Sequence, residues 1–276
     1  TMKHCRLLLS LLIPALQVLY LLTPCEAEAQ SNYQVLDPVR HVQVVTDSLY
    51  DSPQRINLIY FNKHAPSGLQ LKFVFEDSLL IPTSQMARQN GALAAINGGF
   101  FNMDKGGSVS YFETDDSVIH RNRDPGLKWA LADSLINAAL VLYRDSGLVI
   151  ESARSEQDYA HSCHEEFVLV SGPLLIKDSV LQGLPDMSFT HMRHPRTCVG
   201  ITGESIIFIT VDGRSDMAAG MSLPELQAFL LSLGCLDAIN LDGGGSTTIG
   251  TPDRRILQTP THKTGERAVA NALIKR

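Results

Sequence analysis

Four places in this chain set a polar residue among glycines or beside an arginine, next to an apolar stretch. They are Asn97-Gly98-Gly99, His194-Pro195-Arg196-Thr197, Asp212-Gly213-Arg214-Ser215 and Asp242-Gly243-Gly244-Gly245-Ser246-Thr247-Thr248. A short apolar run bounded by such turn residues reads as a buried strand. A chain that repeats the pattern is committed to sheets whose strand ends carry its polar groups. Strand ends are where sheet proteins gather functional side chains from distant sequence.

The predicted strands are residues 56–61, 71–76, 92–96, 138–143, 167–170, 205–211 and 236–241. Pro66 and Gly68 mark the turn between the first two. Residues 82–90 read as a short helix, with Pro82 at its start and Asn90-Gly91 at its end. The clearest helix covers 222–233. Ser222 and Glu225 form a capping box, Pro224 sits in the first turn, and Gly234 is placed to end it. Residues 30–55 show little periodicity and read as an entry segment. No repeat or linker interrupts the pattern. The expected fold is α+β: a single compact domain with mixed β-sheets and flanking helices.

The first 29 residues stand apart. Lys3, His4 and Arg6 precede an apolar run from Leu7 to Leu22, and Ala27-Glu28-Ala29 follows. That layout predicts a secretory signal over residues 1–29, with the domain at 30–276. The run is shorter than the ~20 apolar residues a membrane span needs. The expected location is outside the cytoplasm, periplasmic, cell-surface or secreted, with no membrane span once the signal is removed. The signal carries Lys3, Arg6, Glu26 and Glu28, so its loss leaves the net charge at −6. An acidic chain is a poor partner for nucleic acid and must bind an anion with a few placed groups. Cys163, Cys198 and Cys235 can form at most one bridge, so folding does not rest on disulfides.

Among the candidate functional residues, the Asp242 loop is the strongest single signal. Three consecutive glycines are entropically expensive and suit a place where bare backbone approaches a ligand. Gly243, Gly244, Gly245 and Ser246 could present N–H groups to an anion as a nest, or form a tight turn with a capping aspartate. Asn240 and Asp242 are expected to share a face of the strand. Arg196 and Arg214 are candidate phosphate ligands, because guanidinium offers a fixed fork of donors; ordinary salt bridges are the alternative. Asp212 closes the apolar run 206–211 and is a candidate acid, base or hydroxyl acceptor. Phe100, Phe101 and Trp129 read as core. His161-Ser162-Cys163-His164-Glu165 has metal-ligand residue types but lacks a second cluster, and reads as a solvated loop. Asn102, Asp104 and Glu113 match a calcium loop only in part. No metal or other cofactor is expected.

Taken in order, Asn97-Gly98-Gly99-Phe100-Phe101, His194-Pro195-Arg196-Thr197, Asp212-Gly213-Arg214, Asn240-Leu241-Asp242-Gly243-Gly244-Gly245-Ser246-Thr247 and Glu266-Arg267-Ala268-Val269-Ala270-Asn271 resemble the phosphodiester glycosidase family. The resemblance runs from about Pro82 onward, with Cys198 where the family pattern has alanine. It implies a glycosidase that cuts the anomeric bond of a sugar-1-phosphodiester, the sugar resembling N-acetylglucosamine, and leaves a phosphomonoester. The residue types fit that chemistry: Asp212, Asp242 and Asn97 are the catalytic candidates, with one carboxylate as base or nucleophile and the choice between them open, and Arg196, Arg214, Gly98, Gly99, His194, Thr197, Asn240, Gly243, Gly244, Gly245, Ser246 and Glu266 are the substrate-binding candidates. A metal-dependent phosphodiesterase and a non-catalytic sugar-phosphate binding module are the alternatives.

Overall fold

The computed structural model describes residues 34–36, 39–64, 70–76, 79–121, 135–251 and 256–276. The expected signal at 1–29 and Trp129 lie outside them. Ser205–Val211 shows why the fold forms. Ile206 and Phe208 point into one core, while Ile207, Ile209 and Val211 point into another. Both faces are covered, so the strand reads as a near-continuous apolar run, with Thr210 its polar member within 206–211, rather than an alternating one.

That strand is central in an eight-stranded sheet. In spatial order the sheet comprises Gln34–Leu36, Val39–Leu49, Ser52–Asn62, Ser205–Val211, Arg196–Ile201, Asp237–Asn240, Leu174–Lys177 and Val180–Leu181. One face packs on a five-stranded sheet around Ala138–Tyr143 and a four-stranded sheet around Ala94–Asn97 and Asn271–Lys275. Phe208, Val199 and Ile239 meet Phe73, Ile96, Leu140, Leu169 and Leu273 there. The other face is covered by helix Leu223–Ser232, through Leu223, Leu226, Phe229 and Leu230. Its capping box forms as the sequence predicts. The α+β class holds, in one domain. Strand direction is more uniform than mixed sheets would have it: every ladder among the described residues is antiparallel.

The larger correction concerns residues 30–55. Val39–Leu49 is an 11-residue strand paired with Ser52–Asn62. Its periodicity is hidden because the inner face is partly polar: Gln43 Nε2 donates to Asn57 Oδ1 at 3.0 Å, and His41 Nε2 lies 3.4 Å from the same oxygen. The turn is Tyr50-Asp51, both at positive φ (57° and 53°). Such two-residue turns normally advertise themselves with Asn-Gly or Asp-Gly. Phe100 and Phe101 are buried as expected, and Cys163, Cys198 and Cys235 are free thiols.

Candidate functional site

Asn97 ends the strand Ala94–Asn97 and is completely buried. Its Nδ2 donates to the Asp242 carbonyl at 2.7 Å, and its Oδ1 accepts from Thr197 Oγ1 and from the Thr248 N–H, both at 2.9 Å. One amide therefore ties together the ends of strands from two different sheets. The Asp242 N–H donates to the Gly98 carbonyl at 3.1 Å. Gly98 and Gly99 in turn donate their N–H groups to Asn271, to its carbonyl at 3.0 Å and its Oδ1 at 3.1 Å. The motifs read separately in the sequence are stitched at one end of the large sheet.

The glycine loop follows Asp237–Asn240. The Asp242 carboxylate accepts from the Gly243 N–H and bonds the Ser246 hydroxyl, with Arg267 nearby; burial outweighs these and carries its pKa from 3.8 to about 6. Gly244 has φ +60°, with the Arg214 Nη2 3.2 Å from where a Cβ would stand. At Gly245 a Cβ would fall 2.4 Å from Arg267 Nη2. Two guanidinium groups therefore lie against adjacent residues of one loop. Arg267 Nη1 also donates to Ser246 Oγ at 3.3 Å. Arg214 holds φ +60°, an uncommon conformation for a residue with a side chain, and such strain clusters at functional sites. Its Nη2 lies 3.3 Å from His194 Nδ1. Burial, with Arg196 and Arg214, lowers the His194 pKa and favours the neutral ring, whose Nδ1 can accept that hydrogen bond.

Of the two readings the sequence leaves open for this loop, the structure has the tight turn rather than an open nest. The Gly243 N–H serves Asp242, and those of Gly244, Ser246 and Thr247 donate to the carbonyls of Pro195, Gly243 and Gly244. The glycines are needed because side chains and the Pro195 carbonyl press against the loop; the Gly243 Cβ position is 2.7 Å from that oxygen.

Arg196 is buried and donates to the carbonyls of Met221 at 2.8 Å, Phe189 at 2.8 Å and Met192 at 2.9 Å. Its guanidinium lies 4.7 Å from the Phe189 ring centroid. It anchors the segment that presents His194, and its burial pulls its pKa down to about 10. Asn240 does similar work: Nδ2 donates to the Gly172 and Leu241 carbonyls at 2.9 and 2.7 Å. Glu266 accepts from the N–H and hydroxyl of Ser84, at the start of helix Thr83–Gln89, at 2.8 and 2.5 Å, so its charge faces a helix N-terminus. Asp212 is only 2% exposed; its Oδ2 accepts the Thr259 N–H at 3.0 Å, and burial raises its pKa to about 6. Arg267, Asn271 and Arg55 also lie at this end of the sheet without standing out in the sequence as candidates, although Arg267 and Asn271 fall inside the Glu266–Asn271 motif.

Elsewhere, Asn102 Oδ1 accepts from the N–H groups of Asp104 and Lys105, a local turn. Among the described residues no group of three or more His, Cys, Asp or Glu is placed to hold a metal.

The family model for phosphodiester glycosidases matches residues 90–275. The chain belongs to that family. Over 180 residues it is 29% identical to bovine N-acetylglucosamine-1-phosphodiester alpha-N-acetylglucosaminidase, covering 59% of this chain and 32% of the bovine protein. It is 27% identical over 169 residues to an uncharacterized SPbeta prophage-derived protein of Bacillus subtilis, covering 59% of this chain and 24% of that protein. The match thus spans about a quarter to a third of the length of these relatives. The fold is similar to the catalytic domain of the zebrafish N-acetylglucosamine-1-phosphodiester alpha-N-acetylglucosaminidase, a structure auto-inhibited by its pro-peptide. The TM-score is 0.71 at 19% identity, over 89% of this chain and 88% of that one. A hypothetical protein from Synechocystis shares the fold with TM-score 0.61 at 16% identity, over 89% of this chain and 63% of that one.

Proposed function

We propose that this phosphodiester glycosidase hydrolyses the anomeric bond of a sugar-1-phosphodiester, with a sugar like N-acetylglucosamine, releasing free sugar and a phosphomonoester. The observation that carries the reading is the placement of Asp242: a carboxylate with a raised pKa behind a loop flanked by Arg214 and Arg267. The two guanidinium groups supply the forked donors that a phosphate needs, in a chain whose overall charge would otherwise repel it. As the bond between the anomeric carbon and the phosphate oxygen breaks, the electron pair leaves with the phosphate, and fixed cations stabilise that developing charge. A leaving group of this kind needs less help from a general acid than an ordinary alcohol does.

Asp242 then has one of two tasks. As general base it takes a proton from the water that attacks the anomeric carbon; as nucleophile it forms a glycosyl ester that water later opens. A pKa near 6 leaves it ionised at neutral pH yet more basic than an ordinary carboxylate. Neutral His194 holds Arg214 in place.

The test is hydrolysis of the methyl ester of N-acetylglucosamine 1-phosphate in ¹⁸O-labelled water. Label in the sugar supports the reading. Label in the phosphate identifies a phosphodiesterase, and no turnover of any such diester points to a binding module. Export is part of the same proposal, supported by the layout of residues 1–29. N-terminal sequencing of the protein recovered from its native cells checks it, and a start at Gln30 is the expected result. Among the described residues no helix is long and apolar enough to cross a membrane.

A further inference from the structure

Residues 256–262 form a strap with little regular structure; their isolated bridges are Gly250 to Ile256 and His262 to Gly265. A segment with so few backbone pairings depends on individual anchors. Leu257 donates its N–H to the Ile249 carbonyl at 3.0 Å, and Gln258 Oε1 accepts the Ile249 N–H at 2.8 Å. Thr259 donates its N–H to Asp212 Oδ2 at 3.0 Å, and its hydroxyl accepts from Arg55 Nη1 at 3.4 Å. Thr261 Oγ1 donates to the Gly244 carbonyl at 3.3 Å. The strap thus links the end of Ser205–Val211 to the loop that carries Asp242.

We propose that Asp212 is a positioning residue: its carboxylate holds the strap through Thr259, and the strap holds the glycine loop through Thr261. The inference rests on the reading of Asp242 and the glycine loop as the reacting site. Three things support it. Asp212 is almost entirely buried, and one of its oxygens is committed to a backbone N–H. The Asp212 N–H donates to the Arg55 carbonyl at 2.9 Å, so the carboxylate and the arginine that reaches Thr259 sit on neighbouring strands in fixed register. The chain of bonds from Asp212 ends on Gly244, the residue beside which Arg214 lies.

The distinguishing pair is Asp212→Asn and Asp212→Ala in the full chain. Asparagine keeps an oxygen for the Thr259 N–H but has no charge to take up a proton. Two quantities are read: hydrogen exchange of residues 257–261 without substrate, and kcat and KM for the methyl ester of N-acetylglucosamine 1-phosphate. In Asp212→Asn, exchange should stay as in the wild type and kcat/KM should remain within about tenfold, the worth of one hydrogen bond. In Asp212→Ala, exchange should rise by about tenfold, with KM increased more than kcat is reduced. An Asp212→Asn enzyme slowed by about a hundredfold or more with its exchange unchanged would overturn the proposal, since a carboxylate doing proton transfer loses at least that much. Unchanged exchange in Asp212→Ala would overturn it too. Should Asp212→Ala not fold, Thr261→Val cuts the other end of the link. It should raise KM severalfold and speed exchange at 244–247; no change in either refutes the link. Exchange is measured without turnover, so the strap is tested even if no diester is hydrolysed.

Discussion

Asp242→Asn is expected to trade activity for stability, and the size of the trade follows from the site. Burial carries the Asp242 pKa from 3.8 to about 6 despite the Ser246, Arg267 and Gly243 contacts that oppose it. At about 1.4 kcal/mol per tenfold change in ionisation, that is at most about 3 kcal/mol; partial solvent access reduces it to about 1–2 kcal/mol. The sign is fixed by linkage. A carboxyl whose folded pKa lies above its unfolded value contributes stability below about pH 4, and loses it as the pH rises through about 6. The neutral asparagine avoids the loss. Asp242→Asn should therefore match the wild type near pH 4 and exceed it at pH 7.5, by roughly 2–8 °C in melting temperature for a domain of this size.

Turnover should move the other way. A base or nucleophile removed is worth about 10² to 10⁴ in rate. Melting curves at pH 4 and 7.5, run beside initial rates on a sugar-1-phosphodiester, read both effects. A variant equally stable at both pH values relative to the wild type would refute the electrostatic reasoning. Full activity would refute the catalytic role.

Gly245→Ala should fold with a stability change of about 1 kcal/mol or less, because the new methyl meets the movable end of Arg267. Its kcat/KM should nevertheless fall as that guanidinium is displaced, as steady-state kinetics will show. Arg214→Lys keeps the charge but loses the fork, and is expected to lower kcat/KM by roughly tenfold to a hundredfold, with inhibition by inorganic phosphate weakened in parallel. Asn97→Ala removes the acceptor for Thr197 and the Thr248 N–H, and should destabilise the fold by about 2–4 kcal/mol in denaturant titrations.

Much of the fold was legible because both faces of the central strands are apolar. Ala138–Tyr143 and Ser205–Val211 are found within the bounds the sequence predicts, and helix Leu223–Ser232 starts and ends at its predicted cap residues. The hairpin Val39–Asn62 was half missed for two physical reasons. Its inner face substitutes hydrogen bonds among Gln43, Asn57 and His41 for apolar contacts, and its turn places Tyr50 and Asp51 where glycine or asparagine is usual. Neither departure shows in a pattern that counts apolar residues and turn formers.

For the candidate site, the sequence gathers residues without assigning them roles, and the reason lies in hydrogen-bond capacity. Residue type and position brought Asn97, Arg196, Asn240, Glu266 and Asp242 forward together. The structure separates them by what each side chain is already doing. Asn97, Asn240 and Arg196 place their donors on backbone carbonyls, and Glu266 places both oxygens on Ser84. To turn those bonded atoms toward a ligand would leave a buried partner behind, at about 1–3 kcal/mol; Arg196 Nη1 and Asn240 Oδ1, buried with no hydrogen-bond partner among the described residues, are the uncommitted atoms of this group. Arg214 and Arg267 are placed otherwise: each lies against the glycine loop, and among the described residues each makes a long side-chain hydrogen bond of 3.3 Å, to His194 and to Ser246. Asp242 and Asp212 both have a pKa raised to about 6 by burial, with Arg267 acting on the first and Arg55 on the second; Asp242 is the one that introduces the glycine loop against which Arg214 and Arg267 lie. The glycines belong to this arrangement because they let the two arginines close onto the backbone, which a sequence reading of Gly243-Gly244-Gly245 alone cannot distinguish from a nest of N–H groups.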